Sequence, residues 1–208
     1  MSPTRPAPTT RVDLPVVGIV PATDNAVGHN SFTPADVLTA LNGKTIEIQN
    51  TDAEGRLILA DGLTYIDRYH PRAVVDLATL TGSIVIALGH AFTGMFSNDD
   101  DLAGRLHAAG EATGEAVWRM PLPDEYNKLI ESTIADVKNV GGRAGGSIAA
   151  ALFLQHFIGD YPWAHLDIAG TAWGEERTPK IPYNLKGASG VGVRLLMALL
   201  RGYAEDAA

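Results

Sequence analysis

Seven residues at the join of two differently patterned segments, Asn50-Thr51-Asp52-Ala53-Glu54-Gly55-Arg56, constrain what this chain can become. Before them, residues 44–49 alternate polar and apolar side chains, as a half-buried strand does. After them, residues 57–69 place Leu57, Ala60, Leu63 and Ile66 at near-helical spacing. The heptapeptide is therefore a strand-to-helix turn, which points to an α/β fold. In open α/β sheets ligands collect outside the carboxyl ends of strands, so two carboxylates and a guanidinium at such a turn form a candidate site. A purely structural alternative also fits. Thr51-x-x-Glu54 has the spacing of a capping box, with Asp52 near the positive end of a helix dipole, and by spacing alone that is the more economical reading.

The remaining segments extend the same architecture. Residues 16–20 form a short apolar run, read as a doubly buried strand. Thr33-Pro34-Ala35-Asp36 carries the signals of a short helix ending at Gly43. Residues 73–78 are a second buried-strand candidate, and strand, helix, strand in this order suggests a parallel unit. Asp76 inside that run is expected to be a hydrogen-bonded structural acid, because buried carboxylates need partners. Residues 83–88 are apolar enough for strand or helix. Asn98-Asp99-Asp100-Asp101 lacks the spaced ligands of a calcium loop and reads as the acidic start of a helix over 102–109. Helices are also expected over 124–132, over 148–158 as a central buried helix, and over 191–203.

Between them, residues 141–147 hold four glycines but have neither a P-loop ending nor dinucleotide-fingerprint spacing. They are read as a flexible or closely packed turn rather than an anion cradle. Residues 163–170 are a third strand, with His165 and Asp167 on one face; a lone strand histidine reads as a satisfied core residue before a ligand. No repeat or linker divides the chain. The expectation is a disordered Pro/Thr-rich tail over residues 1–13 and one domain over 14–208, with a mixed, largely parallel sheet flanked by helices in three layers.

Composition decides what else is admissible. With 46% hydrophobic and 19% charged residues in 208, the chain can bury a substantial core. A formal charge of −8 without any Lys/Arg run argues against nucleic acid. The absence of cysteine removes disulfides and thiolate metal sites, so a metal would be held by oxygen or imidazole. No stretch approaches the roughly 20 apolar residues of a membrane span and no secretory signal is visible, so a cytoplasmic location is expected.

Asn50-Thr51-Asp52-Ala53-Glu54-Gly55-Arg56-Leu57 resembles, letter for letter, the signature of the leucyl (cytosol) aminopeptidase family. Asp76-Leu77-Ala78-Thr79-Leu80-Thr81-Gly82, Trp118-Arg119-Met120-Pro121, Gly145-Gly146-Ser147 and Trp163-Ala164-His165-Leu166-Asp167-Ile168-Ala169-Gly170 are similar to further blocks of that family, in its order. The resemblance runs from about residue 16 to the end. It implies an aminopeptidase-like catalytic domain that hydrolyses N-terminal, leucine-like residues from peptides with two divalent ions, zinc or manganese. On that resemblance Asp52 and Glu54 are metal ligands, Glu54 bridging both ions, and Arg56 is catalytic, holding a bicarbonate. Thr79, Leu80 and Gly82 match a substrate-contacting turn, and Ala169 and Ala172 match further pocket positions. Thr51 is still free to cap the helix while Glu54 turns to metal.

The resemblance covers only the carboxyl-terminal part of such a domain. Complete members carry an amino-terminal domain and blocks of the type Gly-Lys-Gly, Phe-Asp-Ser-Gly-Gly and Met-Lys-x-Asp-Met, which supply two lysines and two aspartates; none matches here, and no catalytic lysine is assigned. Asp24-Asn25 and Ala35-Asp36 are mild departures from the family's Glu-Asn and Gly-Asp. Two carboxylates and a carbonyl cannot fill the coordination shells of two ions, so the chain alone is expected to be a weak or inactive peptidase. It would depend on a homo-oligomer, a hexamer as in the family, or on a complementing chain. The competing reading is a non-catalytic assembly or binding homologue.

Overall fold

In the computed structural model the described residues are 12–24, 26, 28–173 and 187–206. Most of the expected tail, residues 1–11, lies outside them, as do residues 174–186. Strands β1 (Val37–Thr39), β2 (Thr45–Glu47) and β6 (Val137–Lys138) form one sheet in the order β1-β2-β6; β1 pairs antiparallel to β2, and β6 parallel to it. A second sheet has the order β3-β7-β4-β5, built from β3 (Val74–Ala78), β7 (Trp163–Asp167), β4 (Thr93–Ser97) and β5 (Val117–Arg119). Here β3 and β7 are parallel, β4 and β5 are parallel, and β4 runs antiparallel to β7. The helices are α1 (Gly55–Ile66), α2 (Gly82–Leu88), α3 (Asp100–Thr113), α4 (Gly146–Gln155) and α5 (Val193–Asp206).

The alternation of β7 explains the layering. Ala164 and Leu166 face one side, where they join Met95, Leu102, Leu106, Leu195 and Leu199 in a cluster roofed by α3 and α5. On the other side Trp163 packs with Ile46, Leu63, Val137 and the α4 residues Leu152 and Phe153, which ties the two sheets together. Phe96 of β4 meets Ile84 of α2 and Ala151 of α4 there. The expected mixed, helix-flanked α/β fold is present, and α4 is its central helix, with seven of its residues buried.

Helices α2 and α3 start with side-chain caps. Asp99 Oδ1 accepts from Leu102 N at 2.7 Å and caps α3; Thr81 Oγ1 accepts from Ile84 N at 3.2 Å and caps α2. The first turn of α5 is served from a distance, by buried Glu115, whose Oε2 accepts from Gly192 N and Leu195 N at 3.1 and 2.9 Å.

Four expectations are corrected. The segment 16–20 forms no strand: Val16, Val17 and Val20 are exposed, because no neighbouring strand among the described residues takes up their backbone groups. Thr33 to Asp36 starts no helix. Ala35 adopts a φ of 77°, and Asp36 Oδ2 accepts backwards from Thr33 N at 2.6 Å, which closes a turn leading into β1. There Leu38 and Ala40 are covered while Val37 and Thr39 are exposed, a period of two that outweighs the helix-start signals. Gly43, with a φ of 86°, lies in the β1–β2 hairpin turn rather than at a helix end. The unit β2-α1-β3 is not a paired parallel unit, since β2 and β3 belong to different sheets. Finally, residues 124–130 form a 3-10 helix, and the segment at 83–88, open between strand and helix, is helical.

Leu106 is fully buried between α3 and the second sheet. Leu106→Ala is expected to lower unfolding stability by about 3 kcal/mol through lost burial and a residual cavity. Urea denaturation would show this as a lower midpoint at unchanged slope.

Candidate functional site

The signature turn leaves β2 in a conformation that the capping box does not describe. Residues Thr51–Ala53 form a single 3-10 turn whose cap is Asn50; its side chain accepts from Asp52 N at 3.0 Å. Helix α1 then begins after Glu54, which has helical dihedrals and makes no capping hydrogen bond with its side chain. Thr51 therefore does not cap α1, and the reciprocal bond from Glu54 is absent. The physical reason is the inserted 3-10 turn, which makes Asn50 rather than Thr51 the residue that turns the chain.

The carboxylates are consequently left over. Asp52 is exposed and Glu54 half-buried, and both line a cleft of about 1000 Å³ together with Asp24, Phe32, Leu57 and Ile58. Among the described residues, three buried side-chain polar atoms have no hydrogen-bond partner: Glu54 Oε2, Arg56 Nε and His165 Nε2. Two of the three belong to the signature. A buried polar atom without a partner costs on the order of 1–3 kcal/mol, so such atoms point to a ligand or ordered water.

Arg56 occupies the first turn of α1 and is buried, with Nη1 donating to the Asn139 carbonyl at 2.7 Å. Burial pushes its guanidinium pKa down, and the nearby Asp167 carboxylate opposes that shift. Asn139 itself is fully buried. Its Oδ1 accepts from Gln49 N and Asn50 N at 2.9 and 3.3 Å, and its Nδ2 donates to Asn50 O at 2.7 Å.

The residues that the family resemblance marks as substrate-contacting form a second group, at the carboxyl ends of β3 and β7. Ala78 and Asp167 are register partners, so the turns that follow both strands leave the sheet side by side. Asp167 is buried and accepts from Leu80 N, Thr81 N and Ala169 N at 3.1, 3.4 and 3.2 Å, and from Thr81 Oγ1 at 2.7 Å. One carboxylate thereby fixes the turn carrying Thr79, Leu80 and Gly82 against the turn carrying Ala169 and Ala172. Thr79 and Gly82 are exposed; Leu80, Ala169 and Ala172 are half-buried. At Gly170 a Cβ would collide with the Gly89 carbonyl oxygen, so the backbone here packs at a distance only glycine permits.

Beneath Asp167, Asp76 accepts from His165 Nδ1 at 2.5 Å and from Trp163 Nε1 at 2.7 Å. It is the hydrogen-bonded structural acid its apolar neighbours suggest. His165 is stacked against Phe96 and Trp163. Burial alone would lower its pKa, but attraction to Asp76 and the hydrogen bond to it outweigh burial and raise it. The four-glycine turn is a packing device. A Cβ at Gly141 or Gly146 would meet Ala149 or Ser83, and Gly142 and Gly145 have φ values of 85° and 62°.

Sequence reasoning missed Asn139 and the bracing role of Asp167. Asp167 carried one usable signal, its place two residues after His165 on a single strand face. Asn139 carried none, since 83 residues separate it from Arg56.

A mixed α/β domain with an acidic turn after one strand, and a paired set of turns after two parallel strands, has the layout of an α/β domain whose site lies at the carboxyl ends of its strands. The family model for the catalytic domain of the cytosol aminopeptidase family matches residues 4–197, and the chain belongs to that family of peptidases. It is 55% identical over 195 residues to a probable cytosol aminopeptidase of Roseiflexus castenholzii, covering 94% of this chain and 40% of that protein. It is 56% identical over 190 residues to the corresponding protein of Syntrophotalea carbinolica, covering 91% and 38%. A lysine-to-glutamate mutant of tomato leucine aminopeptidase superposes with a TM-score of 0.80 at 44% identity, over 86% of this chain and 34% of that one. The chain thus spans about two-fifths of the length of the curated relatives it matches.

The raised pKa of His165 has a signed consequence. Its unfolded value is about 6.5, so the stabilisation from the charged pair is complete below that pH and is lost as pH rises through the raised folded value. Urea denaturation at a series of pH values rising from about 6 should show the His165 contribution to wild-type stability declining. Asp76→Asn should flatten that decline, and an equal slope in both proteins would remove the pairing as its cause.

Proposed function

We propose that the chain forms part of the catalytic site of a two-metal aminopeptidase that removes N-terminal, leucine-like residues from peptides. The observation that carries this reading is the state of Glu54, whose buried Oε2 has no partner although it sits at a helix start, two residues from exposed Asp52. A glutamate with a structural duty would have used that oxygen on a free backbone amide. The residues fit hard or borderline divalent cations such as Zn²⁺ or Mn²⁺, since oxygen donors are what this cysteine-free site offers. Asp52 and Glu54 would hold the metals; when bound, such ions supply Lewis acidity that polarises a peptide carbonyl and acidifies water.

The chain's own residues account for the rest. Arg56 keeps a positive charge inside the site, anchored through Nη1 with Nε left free, so its guanidinium suits a small anion such as bicarbonate. The turns after β3 and β7 offer Thr79, Leu80, Gly82, Ala169 and Ala172 as the wall for the substrate's first side chain. Small Thr, Gly and Ala positions leave room there for an apolar group of leucine size.

Among the described residues no group of three or more His, Cys, Asp or Glu side chains is gathered as a metal site. Two cations would then be underligated by this chain alone, and full activity would require donors from a longer protein, an oligomeric partner or a complementing chain. A non-catalytic assembly subunit is the second reading; it is favoured by the exposed apolar residues Val16, Val20, Ile86 and Trp118, which suit a covered surface. Cytoplasmic residence agrees with the relatives' names, and no helix among the described residues is long and apolar enough to cross a membrane.

Calorimetric titration of the purified chain with Mn²⁺ or Zn²⁺ tests the assignment. Asp52→Ala and Glu54→Ala should each weaken binding at least ~10-fold, or about 1.4 kcal/mol. Identical isotherms for wild type and both variants would remove the metal reading and leave the assembly subunit.

A further inference from the structure

Asn139 follows the last residue of β6 and grips the signature turn from both ends. Its own amide donates to Glu47 O at 3.0 Å, extending the β2–β6 ladder one step beyond the paired residues Glu47 and Lys138. Past that step the two backbones part. The Asn139 carboxamide then stands in for a peptide group: Oδ1 takes the amides of Gln49 and Asn50, and Nδ2 serves the Asn50 carbonyl. At the far end of the turn the Asn139 backbone carbonyl receives Arg56 Nη1 at 2.7 Å. Asp52 and Glu54 lie between these two anchor points.

We infer that Asn139 is a positioning residue that sets the spacing of Asp52, Glu54 and Arg56, an inference that rests on reading the two acids as metal ligands. The residue type is specific to the task. An amide offers an acceptor and a donor on one planar, uncharged group, and the position is fully buried. Aspartate would keep Oδ1 for the two amides but turn an anionic oxygen toward the Asn50 carbonyl, and would add a third negative charge near the acid pair. Serine is too short to reach both amides. Glutamine, one methylene longer, would push the turn outward. Because Asn50 also caps the turn that contains Asp52, displacement of Asn50 is passed directly to the first acid.

The test uses the whole chain with Mn²⁺ alone as probe, in wild type, Asn139→Ala and Asn139→Asp. Amide hydrogen exchange is recorded at Gln49, Asn50 and Asp52, with Leu106 and Leu154 as core references. The expected result is a cooperative melt in at least one variant, Mn²⁺ affinity lowered ~10-fold or more, and faster exchange confined to residues 49–56. A folded variant with wild-type affinity and unchanged exchange overturns the inference. So does loss of the cooperative melt in both variants, which would make Asn139 a residue of the fold alone. If the wild type itself fails to bind Mn²⁺, the ligand assignment of Asp52 and Glu54 falls with the proposed function. Exchange then decides the bracing by itself: acceleration confined to the turn sustains it, and none refutes it.

Discussion

The buried carboxylate of Asp167 is the constraint from which most of the site follows. An ionised carboxylate taken out of water is tolerated only when its lone pairs are filled, and here four donors fill them. Two of those donors are backbone amides of the turn after β3, and one lies in the turn after β7. The carboxylate can therefore be buried only if β3 and β7 are in register and both turns are folded back over it. Thr81 passes the order onward, because the hydroxyl that donates to Asp167 also accepts from Ile84 N and begins α2. The conformation of the turn after β3 and the register of the sheet are thus coupled through one carboxylate.

Polar burial on this face of β7 is layered. Trp163, His165 and Asp167 share it, and Asp76 answers the first two from the adjacent strand. The other face of the same strand is apolar, with Ala164 and Leu166 against α3 and α5. A one-residue slip of β7 would exchange these faces, placing a histidine and an aspartate in an aliphatic cluster, so the polar row specifies register as firmly as the hydrophobic one. Arg56 brings α1 into the same electrostatic neighbourhood, where its charge faces Asp167. In this way the turn after β2, in one sheet, is tied to the turns after β3 and β7, in the other.

What the sequence made legible was set by how local the deciding interaction is. Helices α3, α4 and α5 and strands β3 and β7 carry their own periodicity or cap, and Asp99 before α3 reads correctly from four letters. The segment at 33–43 misleads because its helix-start letters are genuine, but Asp36 spends its carboxylate on Thr33 and the covering of Leu38 and Ala40 favours a strand. The apolar run at 16–20 misleads in the opposite way: its composition is that of a strand, but a strand exists only with a partner. The division into two sheets was invisible because pairing is decided by contacts more than 80 residues apart, such as Ile46 with Val137.

The site shows the same division between local and distant information. Asp52, Glu54 and Arg56 are legible as a group because they sit in one heptapeptide, and four further blocks in order carry the rest of the family resemblance. Whether Glu54 caps a helix or is left free is not decided inside the heptapeptide. Spacing favours the cap; the structure refuses it because Asn50, held by Asn139 from across the sheet, shifts the turn and starts α1 after Glu54. A helix start without its side-chain cap forgoes roughly 1 kcal/mol, and Glu54 Oε2 and Arg56 Nε add the cost of two unpartnered polar atoms. Glu54 and Arg56 thus leave polar atoms unpartnered at a helix start where α2 and α3 each use a side-chain cap, the kind of local inconsistency on which the proposal of a functional site rests.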